Sequence, residues 1–198
     1  GVDVIIHCAS KVHSFEKDSE RSKKNYELIN VLATEKMAIE AAKLGIKKFI
    51  YLSTIKVYGE KTLEGKPIKN DSILNPMDTY SLSKFRAEEK LRNISDKYGL
   101  KIIIVRIPLV YGPFVGANFL SLIKLVNLQI PLPFKGIRNK RSIIFIGNLV
   151  DFISQCITNS FADNRSFVVS DSYPLSTKEI IVFISKSLKK RLFLFKFP

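Results

Sequence analysis

Apolar residues fall along this chain in two rhythms. Three short, nearly unbroken runs, residues 2–8 (VDVIIHC), 49–52 and 101–106 (KIIIVR), have strand length. Such runs predict strands buried on both faces, as in a parallel sheet covered by helices. Between them, apolar positions recur near helical spacing. Residues 26–44 carry Leu28, Val31, Leu32, Met37, Ala41 and Leu44, with Gly45 placed to end the helix. Residues 118–129 align Phe119, Leu122, Ile123 and Val126. Further helices are expected at 149–157 and at 177–188, the last capped by Ser176. Residues 143–146 and 167–169 read as strands, and 131–134 as a short edge strand. The polar stretch 14–25 reads as a loop or helix entry. A loop from Val57 to Pro76 holds Gly65, Pro67, Asn70, Asp71 and Asn75; residues 107–116, with two prolines and two glycines, read as another, and 136–141 as a basic turn. Strands alternating with helices imply an α/β fold with a parallel sheet, which takes ligands at the carboxyl ends of its strands. The small and polar residues 9–11, 53–54 and those after Arg106 fall there.

Composition narrows the field. The length of 198 residues suffices for one or two domains, and 46% hydrophobic residues suit a globular core. The net charge of +14 could point to nucleic acid, an acidic surface or an anionic substrate. The basic residues are scattered, however, and the densest cluster, 186–191, is short. No zinc spacing, RNA-binding aromatic motif or recognition helix accompanies them, so no nucleic-acid partner is expected. No apolar run is long enough to span a bilayer, and no signal peptide is expected. Cys8 and Cys156 read as reduced core residues of a cytoplasmic protein. His7 and His13 are not at metal-ligand spacing, and no metal is expected. Both chain ends read as cut.

The stretch TYSLSKFRAEEKL (79–91) has helix-forming composition and carries Tyr80 and Lys84 four apart, on one helical face. A tyrosine titrates near pH 10, too high for a base at neutral pH. An ammonium one turn away stabilises the phenolate and lowers that value. The pair is a candidate proton-transfer device. By itself YxxxK also arises in helices where Tyr packs and Lys is solvated.

Five further blocks give that motif a context. They are IHCAS (6–10), Asn30-Val31 with Ala33, LSTIKVYG (52–59), RIPLVYGP (106–113), and Arg141 followed by FIGNLVD (145–151). In order and spacing they resemble the extended short-chain dehydrogenase/reductases, specifically the NAD-dependent nucleotide-sugar epimerases, dehydratases and reductases. The resemblance implies a Rossmann-like parallel sheet lacking its first strands (residues 1–113) and an incomplete substrate-binding region (114–198) that returns some elements to the core. It implies catalysis by Tyr80, Lys84 and Thr54, NAD held by Cys8, Ala9, Ser10, Lys11, Val12, Asn30, Ser53, Tyr80, Lys84 and Pro108, and a UDP-sugar held by Thr54, Tyr80, Asn118, Phe119 and Arg141. For Cys8 simple packing is the alternative, for Asn30 bracing of the strand loops, for Pro108 a turn, for Asn118 helix capping and for Arg141 a solvated charge. A homodimer is also compatible.

Two departures from the family pattern matter. The G-x-x-G-x-x-G loop that cradles a dinucleotide pyrophosphate is absent from the sequence; in the family it would precede Gly1 by about 60 residues, two βαβ-sized steps. Leu109 replaces a substrate-contacting Asn, and Phe145 and Asn148 replace the usual His and Asp. The leading expectation is a UDP-hexose 4-epimerase; a UDP-4-keto-sugar reductase of surface-polysaccharide synthesis and an inactive remnant are the alternatives. A dehydratase is disfavoured because Ile55 and Lys56 follow Thr54 where an acidic pair would be needed.

Overall fold

A computed structural model describes residues 1–12, 19–62 and 67–196; His13, Gly65 and part of the polar stretch after His13 lie outside the described residues. The chain divides into two compact units, Gly1–Pro108 with Val150–Val169, and Leu109–Leu149 with Ser170–Pro198.

The first unit is built on strands β1 (Val4–His7), β2 (Lys48–Thr54), β3 (Lys101–Ile107) and β6 (Ser166–Val168), all parallel in the order β1-β2-β3-β6. Register puts Tyr51 beside Ile104 and Ser53 beside Arg106. Because side chains alternate along a strand, Phe49, Tyr51 and Ser53 share a face with Ile102, Ile104 and Arg106. The lower part of that face is apolar. It packs against Ala38 and Ala41 of α2 (Ala33–Lys43) and Ala87, Leu91 and Ile94 of α3 (Thr79–Tyr98). Burying a residue such as Leu91 contributes about 1.5–3 kcal/mol. The upper part of the same face is polar, and the functional residues gather there.

Helix α3 starts where its sequence commands. The Asp78 carboxylate accepts from the Ser81 amide at 2.6 Å, and the Ser81 hydroxyl accepts from the Asp78 amide at 3.1 Å. This reciprocal cap contributes about 1 kcal/mol. Gly99, left-handed at φ 72°, ends the helix, as Gly45 at φ 73° follows α2.

In the second unit, β4 (Leu109–Tyr111) pairs in parallel with β5 (Ile143–Phe145). Its core joins Phe119 and Val126 of α4 (Ala117–Asn127), Leu132, Ile143, and Ile180, Ile181 and Ile184 of α6 (Thr177–Ser187). Helix α6 has the expected Ser176 cap, completed by Glu179.

The structure corrects several expectations. Residues 107–116 are not all loop: Leu109–Tyr111 form β4, whose partner strand lies far along the chain and leaves no local signal. Residues 131–134 form no strand, only a single bridge from Leu132 to Leu194. The expected helix 26–44 is three segments: α1 (Glu20–Tyr26), a π-helical stretch Glu27–Leu32, and α2. Helix α5 (Ile146–Thr158) begins three residues before the expected start.

Candidate active site

Residues 8–12 continue from the carboxyl end of β1. Cys8, Ala9 and Val12 are exposed, and Ser10 and Lys11 half-buried. Cys8 is therefore not a core residue; it lies one position past the last paired residue of β1, while Cys156 is buried. Asn30 fixes this segment. Its side-chain oxygen accepts from the Lys11 amide at 2.8 Å and from the Ser10 hydroxyl at 3.2 Å. Its amide donates to the Lys11 carbonyl at 3.0 Å and to Ser83 Oγ at 2.9 Å. Every hydrogen-bonding site of the amide is thus used inside the protein. Asn30 is the brace of the loop, and the expected cofactor contact by this side chain is not what the geometry provides. It sits in the π-helical stretch, a distortion that concentrates at functional sites.

Tyr80 lies in the first turn of α3, half-buried, with its ring 6.2 Å from that of Tyr26. Thr54, the last residue of β2, and Ser10 stand beside its phenol. Burial and the Asp78 carboxylate push the phenol up to about 12, and the Thr54 and Ser10 hydroxyls only partly offset them. The expected lowering of Tyr80 by Lys84 is absent here because desolvation of the phenolate dominates.

Lys84, one turn further on, is 2% exposed. Its ammonium stands 4.1 Å from the centre of the Tyr51 ring, a cation–π contact. Burial pulls it down to about 8, with Glu88 and Cys8 acting the other way. Burial and then Lys84 also hold His7 below the usual histidine range; its Nε2 lies 2.8 Å from Thr34 Oγ1. His7 is a buried structural residue.

Beneath Lys84 lies a network that the sequence reading missed. Glu88 and Arg106 are 1% and 2% exposed. Arg106 donates through Nη2 to Glu88 Oε2 at 2.6 Å and through Nε to Oε1 at 3.1 Å. Ser53 donates to Glu88 Oε1 at 2.6 Å. Tyr58 accepts from Arg106 and places its ring under the guanidinium. Ser53 thus gives its one hydroxyl proton to Glu88. Two signals were present in the sequence: Tyr80, Lys84 and Glu88 repeat every four residues, and Arg106 closes an apolar strand where a lone charge would be intolerable. Pro108 is buried at the end of this unit.

Of the residues expected to hold the sugar nucleotide, Thr54 and Tyr80 lie in the first unit, and Asn118, Phe119 and Arg141 belong to the second. Asn118 is exposed in the first turn of α4, whose cap is Gly116, so it is not the capping residue. Phe119 is buried in the core and stacked on Tyr111 at 5.7 Å, so its ring serves packing. Arg141 is exposed, its backbone paired with that of Leu175. A second polar cluster sits nearby in this unit: Asp171 accepts from Tyr111 at 2.9 Å and from Asn148 at 2.8 Å.

Residues 1–170 match the NAD dependent epimerase/dehydratase family, and the chain belongs to it. The UDP-glucose 4-epimerase of Vibrio cholerae is 41% identical over 188 residues, covering 94% of this chain and 57% of that protein. The N-acetyl-alpha-D-glucosaminyl-diphospho-ditrans,octacis-undecaprenol 4-epimerase of Escherichia coli O157:H7 is 25% identical over 194 residues, 97% of this chain and 56% of its own length. Among solved structures, UDP-glucuronic acid 4-epimerase from Bacillus cereus in complex with UDP-glucuronic acid and NAD superposes with a TM-score of 0.83 at 22% identity, over 98% of this chain and 62% of that one. The likeness confirms the Rossmann-like α/β fold. The chain spans less than two thirds of the length of these relatives. No described helix is long and apolar enough to cross a membrane.

Proposed function

We propose that this chain carries the proton-transfer half of an NAD-dependent nucleotide-sugar 4-epimerase, acting on a UDP-hexose. The observation that carries this reading is the gathering of Tyr80, Thr54 and Ser10 at the carboxyl ends of β1 and β2, with a buried lysine ammonium one turn along α3. The 41% identity to a UDP-glucose 4-epimerase supports the choice of reaction and substrate class.

The residues present fit the nicotinamide-ribose end of a dinucleotide. Small, exposed residues 8 and 9 permit close approach, Ser10 and the Lys11 backbone are held rigid by Asn30, and Lys84 supplies a cation for ribose hydroxyls. Bound in oxidised form, NAD would accept a hydride from the sugar C4 and bring a positive ring charge to the pocket. Thr54 would hold the C4 hydroxyl against Tyr80. Tyr80 would take the hydroxyl proton as C4 becomes a carbonyl, and would return it after the sugar has turned over. A phenol near 12 is a poor base at neutral pH, so the reading requires that positive charge at Tyr80 increase when the ternary complex forms. Arg141, exposed and bidentate in capacity, is the candidate partner of the substrate diphosphate. A homodimer and a cytoplasmic location accompany this reading as expectations.

The test is incubation of the protein with NAD and UDP-glucose or UDP-N-acetylglucosamine. Epimer formation without net NADH, reduced at least about 100-fold in Tyr80→Phe with the fold intact, supports the reading. Stoichiometric NADH consumption with a 4-keto sugar would reassign the reaction to a reductase. Full activity in Tyr80→Phe would refute the central role of this tyrosine.

A further inference from the structure

Three side chains repeat along one face of α3: Tyr80, Lys84 and Glu88. Residues four apart on a helix are neighbours, so the Glu88 carboxylate is within natural reach of the Lys84 ammonium. Yet among the described residues no ion pair joins them. The carboxylate is directed instead to β2 and β3. Its Oε1 receives Ser53 and Arg106 Nε, and its Oε2 receives Arg106 Nη2 at 2.6 Å and Arg92 Nη2 at 3.4 Å. These donors occupy the acceptor sites a carboxylate has. Ser53 and Arg106 are register neighbours, so the sheet presents both donors side by side to a single point on α3. Lys84 is left with the face of Tyr51 as its close partner.

We propose that Arg106 is a positioning residue for Lys84: it clamps Glu88 one turn away, close enough to favour the ammonium and too firmly held to neutralise it in an ion pair. Lys84 then stays unpaired and available to Tyr80 and to a ribose. The inference rests on reading α3 as the proton-transfer helix. Competing influences are accounted for from each side. His7 and Cys8 face Lys84 from β1 and its end, Tyr51 from β2, and Tyr80 and Glu88 from its own helix. Of these, Glu88 is a carboxylate whose distance a second residue controls. Without Arg106, Glu88 would keep Ser53 and the half-exposed Arg92 at 3.4 Å, and Lys84 is the buried cation one turn away that its freed side chain could then reach.

Two substitutions should move the lysine in opposite directions. Protein labelled with ¹³C at lysine Cε is titrated by NMR, with the Lys84 signal assigned by its loss in Lys84→Arg. The native midpoint is expected near 8. Arg106→Gln should raise it by about one unit or more, through a direct Lys84–Glu88 pair, and Glu88→Gln should lower it by about one unit. Loss of the Arg106 charge would by itself raise the midpoint, so Ser53→Ala, which loosens the same carboxylate without changing charge, must show a rise as well. An unchanged or lowered midpoint in Arg106→Gln, or an unchanged one in Glu88→Gln, overturns the proposal. Ser53→Ala therefore decides whether or not Arg106→Gln folds: a rise supports the clamp and no rise refutes it. The measurement needs neither cofactor nor sugar, so its outcome is independent of the assignment of activity.

Discussion

Lys84→Met should stabilise the protein while removing a proposed catalytic group. In the fold the lysine titrates near 8 against an ordinary 10.5. At about 1.4 kcal/mol per unit, holding the ammonium in this site costs roughly 3 kcal/mol at neutral pH. Methionine has a similar reach and needs no hydration. Its gain is reduced by the cation–π contact that Lys84 makes with Tyr51, about 0.5–2 kcal/mol. The net expectation is a stabilisation of about 1–3 kcal/mol at pH 7. The sign with pH follows from the lowered value. Below 8 the lysine is charged in both folded and unfolded states, and the full penalty applies. Between 8 and 10.5 the folded state releases its proton first, and the penalty fades. Urea unfolding followed by far-ultraviolet circular dichroism at pH 7 and at pH 9.5 measures both effects, provided the slope with denaturant is unchanged. A Met variant less stable than the native protein at pH 7, or an advantage that fails to shrink at pH 9.5, would refute the reasoning that Lys84 is held charged at a cost.

Two further outcomes follow from the structure. Glu88→Leu and Arg106→Met should each destabilise by about 3–5 kcal/mol, because each strands the other charge at 3% side-chain exposure or less, while the double variant should cost clearly less than either; additive losses in equilibrium unfolding would contradict a buried pair. Gly112→Ala should cost about 1–3 kcal/mol, since Gly112 has φ 146° and an added Cβ would stand 2.5 Å from Ile146 Cγ2; an unchanged melting temperature would contradict this geometry.

Much of the first unit was legible because its signals are local or depend only on apolar contrast. The runs at β1, β2 and β3 announce strands that must be buried on both faces, and those strands form adjacent in one parallel sheet. Tyr80 and Lys84 were legible because helical periodicity alone puts them on one side. Ser176 and Glu179 announce their helix start within four residues. The losses fall where a partner lies far along the chain. Strand β4 was read as a loop because Leu109, Val110 and Tyr111 acquire strand geometry only by pairing with residues 143–145. Cys8 was assigned to the core, since an apolar run tells which residues form a strand but not what covers its end.

Spacing and hydrophobicity along one chain were enough to read the α/β class, the three long parallel strands and the Tyr80–Lys84 pair. The roles of Asn30, Ser53, Glu88 and Arg106 emerge only in the assembled fold. Their side chains are short of partners until β1, β2, β3 and α3 are brought together, and a buried polar group must find its hydrogen bonds wherever the fold supplies them.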